Sequence, residues 1–223
     1  MTTSISDAGL QFASGNLVDI KTAMPSTGSY TQGDVIVEKS VNGTLSGWKR
    51  LTTGSAHVLG TDWVYFSDGL TLGTAQNTTS GTTVSFTSIP SWVKLITIHI
   101  LGVSTSGTSN WGIKLGTASG YESTGYTGRV NNSANTSANP TTIAQCVFSG
   151  AAATTSIGTI TLMLSAPGSN QWVMAGTTIR NDDVYSDHVG YYKSLAGTLD
   201  RLQLATVNGT DTFDAGSVNI MYE

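Results

Sequence analysis

The chain has 223 residues, a formal net charge of −4 and only 11% charged residues. Its ten Lys and Arg residues are scattered along the chain, with Lys49-Arg50 as one adjacent pair, which excludes a basic stripe along a phosphate backbone and therefore a nucleic-acid partner. The lone Cys146 excludes an intramolecular disulfide framework and a multi-cysteine zinc site. Thr, Ser and Gly are frequent, and this mixture favours short strands joined by tight turns over long helices.

The N-terminal residues 1–7 have neither the basic start nor the apolar core of a signal peptide. No apolar run approaches the length of a membrane span, so we expect no membrane insertion. Together with the absence of cysteine pairs, these features predict assembly in a cytoplasm.

The first part of the chain predicts an attachment segment and a small domain. Residues 1–24 follow neither the helical nor the strand period, and we assign them to attachment. Residues 25–68 predict a small β module, with an Asn42-Gly43 hairpin turn. Trp48 and Trp63 would form most of its core, since one buried aromatic side chain covers on the order of 150 to 250 Å². Exposure of both rings for carbohydrate binding is the alternative.

The second part of the chain predicts a larger domain. Residues 69–80 are rich in small polar side chains, which predicts a linker. Residues 81–223 predict an antiparallel, jelly-roll-like β-sandwich built around the apolar run 89–101. The fold class is therefore all-β, a small N-terminal β module followed by a β-sandwich.

The apolar run 89–101 predicts the central strand. Alternate residues of the run would share one side of an extended chain, namely Ile96, Ile98 and Ile100. Because apolar or β-branched residues occur on the other side too, we expect a strand covered on both faces. His99, on that other side, is expected in a core or an interface rather than at a metal or as a base.

Two long polar connections interrupt the predicted strands, at residues 117–142 and 181–194. Connections of this length in a compact domain are usually functional or disordered. We therefore expect the binding residues of the sandwich within them.

Two groups of motifs resemble phage proteins. Gly28-Ser29-Tyr30, residues 33–37 and Gly47-Trp48 are similar to a small β module of phage tailspikes and tail fibres. About residues 75 to 223 resemble the C-terminal β-sandwich domain of bacteriophage tail fibres, and the segments that carry this resemblance are 80–94, 101–107, 195–202 and 208–220. The resemblance implies a virion protein of the phage tail and a homotrimer that contacts the host surface. The N-terminal region of this virion protein would dock on a tail or baseplate protein.

Catalytic patterns are missing from the sequence. It has no Gly-x-Ser-x-Gly, no His-Glu-x-x-His and no nucleotide-binding Gly fingerprint. We therefore expect no enzyme activity, no catalytic residue, no cofactor and no metal site. His188 with Asp182, Asp183 and Asp187 carries groups that bind divalent cations, but a solvated acidic turn is the more frequent outcome.

The residue types of the two polar connections favour carbohydrate binding. A sugar presents hydroxyls and flat C–H faces, so its site needs neutral hydrogen-bonding groups beside aromatic rings. The candidate receptor-binding residues are Tyr121, Tyr126, Arg129, Asn131 and Asn132 in the first connection, and Tyr185, His188, Tyr191 and Tyr192 in the second. For Tyr191 and Tyr192, packing between subunits is an equal alternative.

These expectations combine into one function. We predict a phage tail fibre protein that mediates adsorption by binding a host surface glycan without cleaving it. The alternative is a structural virion component of the baseplate, collar or capsid surface. A third possibility, a depolymerase, would need paired acids, and we expect Asp211 and Asp214 to stabilise a turn instead.

Overall fold

The computed structural model of the protein describes residues 10–12, 15–38, 46–67, 70–148, 151–152, 154–182 and 185–223. The chain folds as two compact units, Met1–Leu70 and Thr71–Glu223. Regular structure in the described residues is almost entirely β-strand, which confirms the predicted all-β class. Among these residues, no helix has the length and apolar character needed to cross a membrane.

The first unit contains one five-stranded sheet. Its strands are β1 (Leu10–Gln11), β2 (Leu17–Lys21), β3 (Val35–Glu38), β4 (Ser46–Arg50) and β5 (Trp63–Ser67), and they lie in the order β1-β2-β3-β4-β5. Strands β2 and β3 pair in parallel and the other neighbours pair antiparallel. Strands β1 and β2 belong to the segment predicted for attachment. The predicted Asn42-Gly43 turn lies outside the described residues.

The tryptophans of the first unit form its core. Ile36 and Trp63 are completely buried and Trp48 nearly so, which confirms the predicted core role of both rings. The guanidinium of Arg50 lies 5.1 Å from the centre of the Trp63 ring and donates hydrogen bonds to backbone carbonyls. A buried Arg thus extends a core that has few aliphatic side chains.

The second unit is a β-sandwich. Its strands are β6 (Thr71–Leu72), β7 (Gln76–Asn77), β8 (Thr83–Phe86), β9 (Leu95–Thr105), β10 (Trp111–Thr117), β11 (Gly120–Tyr121), β12 (Thr127–Asn132), β13 (Ser137–Ala138), β14 (Ala144–Gln145), β15 (Ser156–Ala166), β16 (Gln171–Arg180), β17 (Ser186–Ser194), β18 (Arg201–Thr206) and β19 (Phe213–Tyr222). The larger sheet has the order β13-β12-β17-β16-β15-β9-β19-β6, with β7 also on β19. The smaller sheet has the order β11-β10-β18-β8, with β14 on β10. One apolar core lies between the two sheets, and all pairs are antiparallel. Strands β6 and β7 come from the segment 69–80 that we assigned to a linker.

Strand β9 is the extended central strand that the sequence predicts, but a single chain covers only one of its sides. Ile96, Ile98 and Ile100 on the inner side are buried, whereas Leu101 on the other side is 62% exposed. The prediction of a strand covered on both faces is therefore wrong for one copy of the chain. The outer side also carries Thr97 and His99, and such polar residues are typical of a half-exposed strand.

Strands β12 and β17 lie inside the two connections that we predicted to be loops, and that prediction is wrong for these stretches. The two strands pair antiparallel over six residue pairs. In β17 every second residue is buried, and the buried set includes Asp187 and Lys193 while Tyr192 is exposed. Buried and exposed positions therefore alternate along β17, but apolar and polar residue types do not follow the same alternation.

The sandwich has two ends, which we call the near end and the far end. Thr71, where the second unit begins, pairs with Tyr222 at the near end. The β16–β17 pair starts there, with Gln171 opposite Ser194. At the far end the same two strands finish, with Ile179 opposite Ser186.

Candidate functional site

Four of the nine candidate residues lie together on one exposed surface. We call the side of the larger sheet that faces away from the smaller sheet the outer face. Arg129 and Asn131 on β12 and His188 and Tyr192 on β17 all point to this side, as the alternation of burial shows. Asn131 lies directly opposite His188, and Arg129 opposite the side-chain-free Gly190. We call these four residues the edge strip, because only the short β13 lies beyond β12.

Three other candidates point into the sandwich and are buried: Tyr126, Asn132 and Tyr191. The Tyr126 hydroxyl accepts a hydrogen bond from the Leu115 N–H at 2.7 Å and donates one to the Glu122 carbonyl at 3.1 Å. The Asn132 side-chain oxygen accepts from the Thr136 N–H at 3.0 Å. Burial raises the pKa of Tyr191 to about 12. These three residues hold the connections in place and cannot contact a receptor directly.

The two remaining candidates, Tyr121 and Tyr185, lie at opposite ends of the sandwich. Tyr121 pairs with Gly116 near the start of β18, at the near end, and the Arg201 guanidinium lies 5.9 Å from its ring centre. Tyr185 precedes β17 at the far end, with the Arg180 guanidinium 5.3 Å from its ring centre. The nine residues therefore do not form a single site.

The register of the larger sheet extends the edge strip into a polar row that crosses six strands. The row consists of neighbours that directly face one another across the strand pairs: Asn131, His188, Thr177, Thr159, His99 and Asn219. With strands about 4.8 Å apart, it is about 24 Å long. Thr177 Oγ1 lies 3.3 Å from His188 Nδ1, and the Asn219 amide donates to the Gly73 carbonyl at 3.0 Å.

Two polar atoms in this row lack hydrogen-bond partners within the described part of the chain. They are His99 Nε2 and Asn131 Oδ1, and both are shielded from solvent. A shielded polar atom without a partner is costly.

The chemistry that the edge strip offers is recognition by hydrogen bonding and stacking. An amide, an imidazole and a guanidinium supply donors and acceptors, and the Tyr192 ring supplies a flat apolar surface. The Thr177 and His188 pair superficially resembles a nucleophile with its base, but a base of this kind needs a third group to orient it. The neighbouring carboxylate, Asp187, points into the sandwich instead.

The acidic residues near His188 are separated by the fold. Asp182 pairs with Arg180 at 2.5 Å, and Asp187 is completely buried on the other side of β17 from His188. Asp183 lies outside the described residues. In the described ranges no three His, Cys, Asp or Glu side chains are close enough to hold a metal ion.

Two apolar rows flank the polar row on the outer face. Towards the near end lie Leu95, Met163 and Val173 on β9, β15 and β16, in direct register. Towards the far end lie Leu101, Ile157 and Ile179 on the same three strands, with a β-bulge between β9 and β15. Leu95 is half-buried, and the other five side chains are between 41% and 62% exposed.

Comparisons with known proteins leave the family open. No family model matches the chain, and no curated protein matches it. Among solved structures, a fructofuranosidase from Schwanniomyces occidentalis complexed with fructose is similar at 8% identity with a TM-score of 0.23. The match covers 91% of this chain and 48% of the enzyme. This chain therefore spans about half the length of that enzyme. A TM-score this low supports no inference about fold or activity.

Sequence reasoning missed the polar residues of the central strands. His99, Thr159 and Thr177 belong to the polar row, yet they lie outside the two polar connections in which we expected the binding residues. The available signal was their spacing, because polar residues at every second position of an apolar strand mark its exposed side.

Proposed function

We propose that this protein is a virion protein of the phage tail that attaches to the host by binding a surface polysaccharide through the edge strip. The observation that carries the proposal is the register of β12 and β17, which brings the exposed Arg129, His188 and Tyr192 and the half-buried Asn131 to the outer face. The resemblance of residues 75 to 223 to tail-fibre domains supplies the phage context.

The composition of the edge strip suits a neutral or weakly acidic glycan. Amide and imidazole groups bind sugar hydroxyls, a tyrosine ring stacks on a sugar face, and one guanidinium pairs with an occasional carboxylate. The strip contains no carboxylate of its own, so the proposal includes binding without cleavage. An open surface of this kind binds each sugar weakly, and several copies on one particle raise the apparent affinity by avidity. The resemblance implies three copies in a homotrimer, joined to a tail or baseplate protein through the N-terminal region.

The test is binding of the labelled full-length protein to a panel of bacterial strains and to polysaccharide purified from each. We expect at least one strain to bind the protein, and the bound protein to block phage adsorption to that strain. Arg129→Ala and His188→Ala should each weaken binding about tenfold, the equivalent of one hydrogen bond.

A matched control removes a cation from the opposite side of the sandwich. Lys114 lies on β10 of the smaller sheet, and Lys114→Ala should bind as tightly as the unchanged protein. If no strain binds the protein, receptor recognition is refuted. If binding occurs and all three variants bind equally, the receptor site lies outside the edge strip.

A structural role is the second candidate function, and the two exposed apolar rows favour it. Large apolar patches on a soluble protein usually mark contacts with other macromolecules. Cryo-electron microscopy of the virion separates the two functions, because a receptor-binding protein must present β12 and β17 to the outside.

A further inference from the structure

We propose that the receptor glycan binds as an extended chain that crosses the strands from the edge strip to β9, with about four sugar residues in contact with the outer face. The chain would occupy a groove between the polar row and the apolar row towards the near end. This inference rests on the proposed function, and it adds the path, the length and the charge of the bound glycan.

The floor of this groove is a row of mostly short side chains between the polar row and the near-end apolar row. We call it the floor row, and its members face one another in direct register: Arg129, Gly190, Ala175, Thr161 and Thr97. Gly190 and Ala175 are exposed and carry no side-chain atom beyond Cβ. A flat ligand can therefore approach the sheet closely at β17 and β16.

The two banks of the groove differ in chemistry. One bank is the near-end apolar row, and Tyr192 extends this row on β17 because it lies directly opposite Val173. The other bank is the polar row, with His188, Thr177 and Thr159 on β17, β16 and β15. Each bank lies two residues along the strand from the floor row, or about 7 Å, so the banks are about 14 Å apart.

These banks match the two kinds of surface that a sugar presents. A pyranose ring carries hydroxyl groups around its edge and C–H groups on its faces, and it needs hydrogen-bonding groups beside an apolar surface. A ring above Gly190 can pack C–H groups on Tyr192 and exchange hydrogen bonds with His188. The next ring, above Ala175, has Val173 on one side and Thr177 on the other. The groove therefore repeats the same pair of contacts from strand to strand.

The order of the strands sets the length of the ligand. The groove crosses β17, β16, β15 and β9, which are consecutive in the larger sheet, and Arg129 on β12 lies at its open end. Neighbouring strands are about 4.8 Å apart, and one hexose residue of an extended glycan is about as long. Each strand therefore corresponds to about one sugar, and the groove holds about four.

The charge of the groove selects the glycan. The outward side chains of β17, β16, β15 and β9 include no Asp, Glu, Lys or Arg. A carboxylate held against the apolar bank would lose part of its hydration without gaining a cation. We therefore expect neutral sugars over these four strands, and an acidic sugar only beside Arg129, where a guanidinium can pair with it.

The twist of the sheet favours a single glycan chain. Neighbouring strands rotate by about 20 to 25° relative to one another, so each sugar must be rotated relative to the sugar before it. Rotation about glycosidic bonds permits this in a separate chain, whereas chains packed into a rigid sheet cannot follow the groove. The expected ligand is thus an individual, hydrated polysaccharide chain.

The test uses the polysaccharide of a strain that binds the protein, cut by mild acid into oligosaccharides that are separated by size. Isothermal titration calorimetry gives the affinity of the full-length protein for each size. We expect the affinity to rise up to about four residues and then to level off, because further sugars lie outside the groove. An affinity that is already maximal for the disaccharide would overturn this inference and leave the edge strip as the site.

Two substitutions on β15 test the path of the chain, two strands away from the edge strip. Thr161→Lys places a long side chain where the third sugar would lie. It should weaken binding of the four-residue oligosaccharide about tenfold and leave a disaccharide at the edge strip unaffected. Met163→Ala removes an apolar contact beside the same sugar, and it should weaken binding of the four-residue oligosaccharide about fourfold, the equivalent of one CH₂ group.

Thr83→Lys is the matched control, because Thr83 is an exposed threonine on β8 of the smaller sheet, and this variant should bind every size as tightly as the unchanged protein. Circular dichroism checks that each variant is folded. Avidity between copies also favours long chains, but it would persist in Thr161→Lys, so a length dependence that survives this substitution overturns the inference. If no polysaccharide binds, the proposed function and this inference both fail. If Arg129→Ala weakens binding and Thr161→Lys does not, only this inference fails.

Discussion

Asp187 gives the sharpest test of the electrostatics inside the sandwich. This carboxyl on β17 is completely buried, and burial raises its pKa from 3.8 to about 6, against the opposing effects of the Phe148 backbone and the Arg180 charge. A folded-state pKa above the unfolded value means that ionisation of Asp187 favours unfolding. The difference of about 2 pH units corresponds to about 3 kcal/mol at neutral pH.

The perturbation is Asp187→Asn, which keeps the shape of the side chain and removes its ionisation. Ionisation of Asp187 lowers the free energy of unfolding. This loss is absent below about pH 4, grows between about pH 4 and pH 6, and is constant above that range. We therefore expect the variant to be more stable than the unchanged protein by about 3 kcal/mol at pH 7, with the difference vanishing near pH 4.

The measurement is urea unfolding of both proteins at several values between about pH 4 and pH 7. Using the difference between them removes the contributions of all other carboxyls, which titrate equally in both. A stability difference that does not change with pH, or a variant that is less stable at pH 7, would refute the reasoning, because the folded-state pKa of Asp187 would then not lie above its unfolded value.

Three further substitutions test the packing of the two units. Lys193→Met should cost about 2 kcal/mol in urea unfolding, because the Lys193 ammonium pairs with the partly buried Glu122 carboxylate. Trp63→Ala should cost at least about 3 kcal/mol and make the first unit sensitive to protease, because Trp63 is the largest completely buried side chain there. Gly216→Ala should cost about 3 kcal/mol by calorimetry, because its φ is +91° and a Cβ would lie 2.4 Å from the Gly102 backbone.

Each of these substitutions has a matched control. Glu122→Gln added to Lys193→Met should recover part of the loss. In the unchanged protein, Lys193 and the Ala196 N–H lower the pKa of Glu122 against the opposing effect of burial. Without Lys193 the partly buried carboxylate loses its cation, and Gln removes that charge. Val64→Ala should be nearly neutral because Val64 is half-exposed beside Trp63. Gly190→Ala should also be tolerated, since no atom lies within 4 Å of the added Cβ. Equal losses in a variant and its control would contradict the packing argument.

The fold class was predictable because it depends on local signals. The residues of β9 alternate Ile with polar or apolar neighbours, and the glycines and threonines around them disfavour helices. The two tryptophans of the first unit were predictable for a similar reason, since they are the largest apolar side chains of a small unit and burying them removes the most apolar surface from water. The same reasoning failed to predict β12 and β17 as strands. Their buried positions include Asp187, Lys193 and Asn132, and residues of these types usually indicate solvent-exposed positions.

The candidate site depends on register, which local signals do not contain. Whether Tyr191 or Tyr192 points outward is decided by the pairing of β17 with β12 and β16, and a shift by one residue would exchange them. The correct register is the one that buries Val189 and Tyr191 against the core and tolerates the cost of burying Asp187. The stability of Asp187→Asn therefore measures the free-energy cost of the register that places His188 and Tyr192 on the outer face. The sheet adopts this register, and with it the edge strip, because burial of Val189 and Tyr191 stabilises the fold by more than that cost.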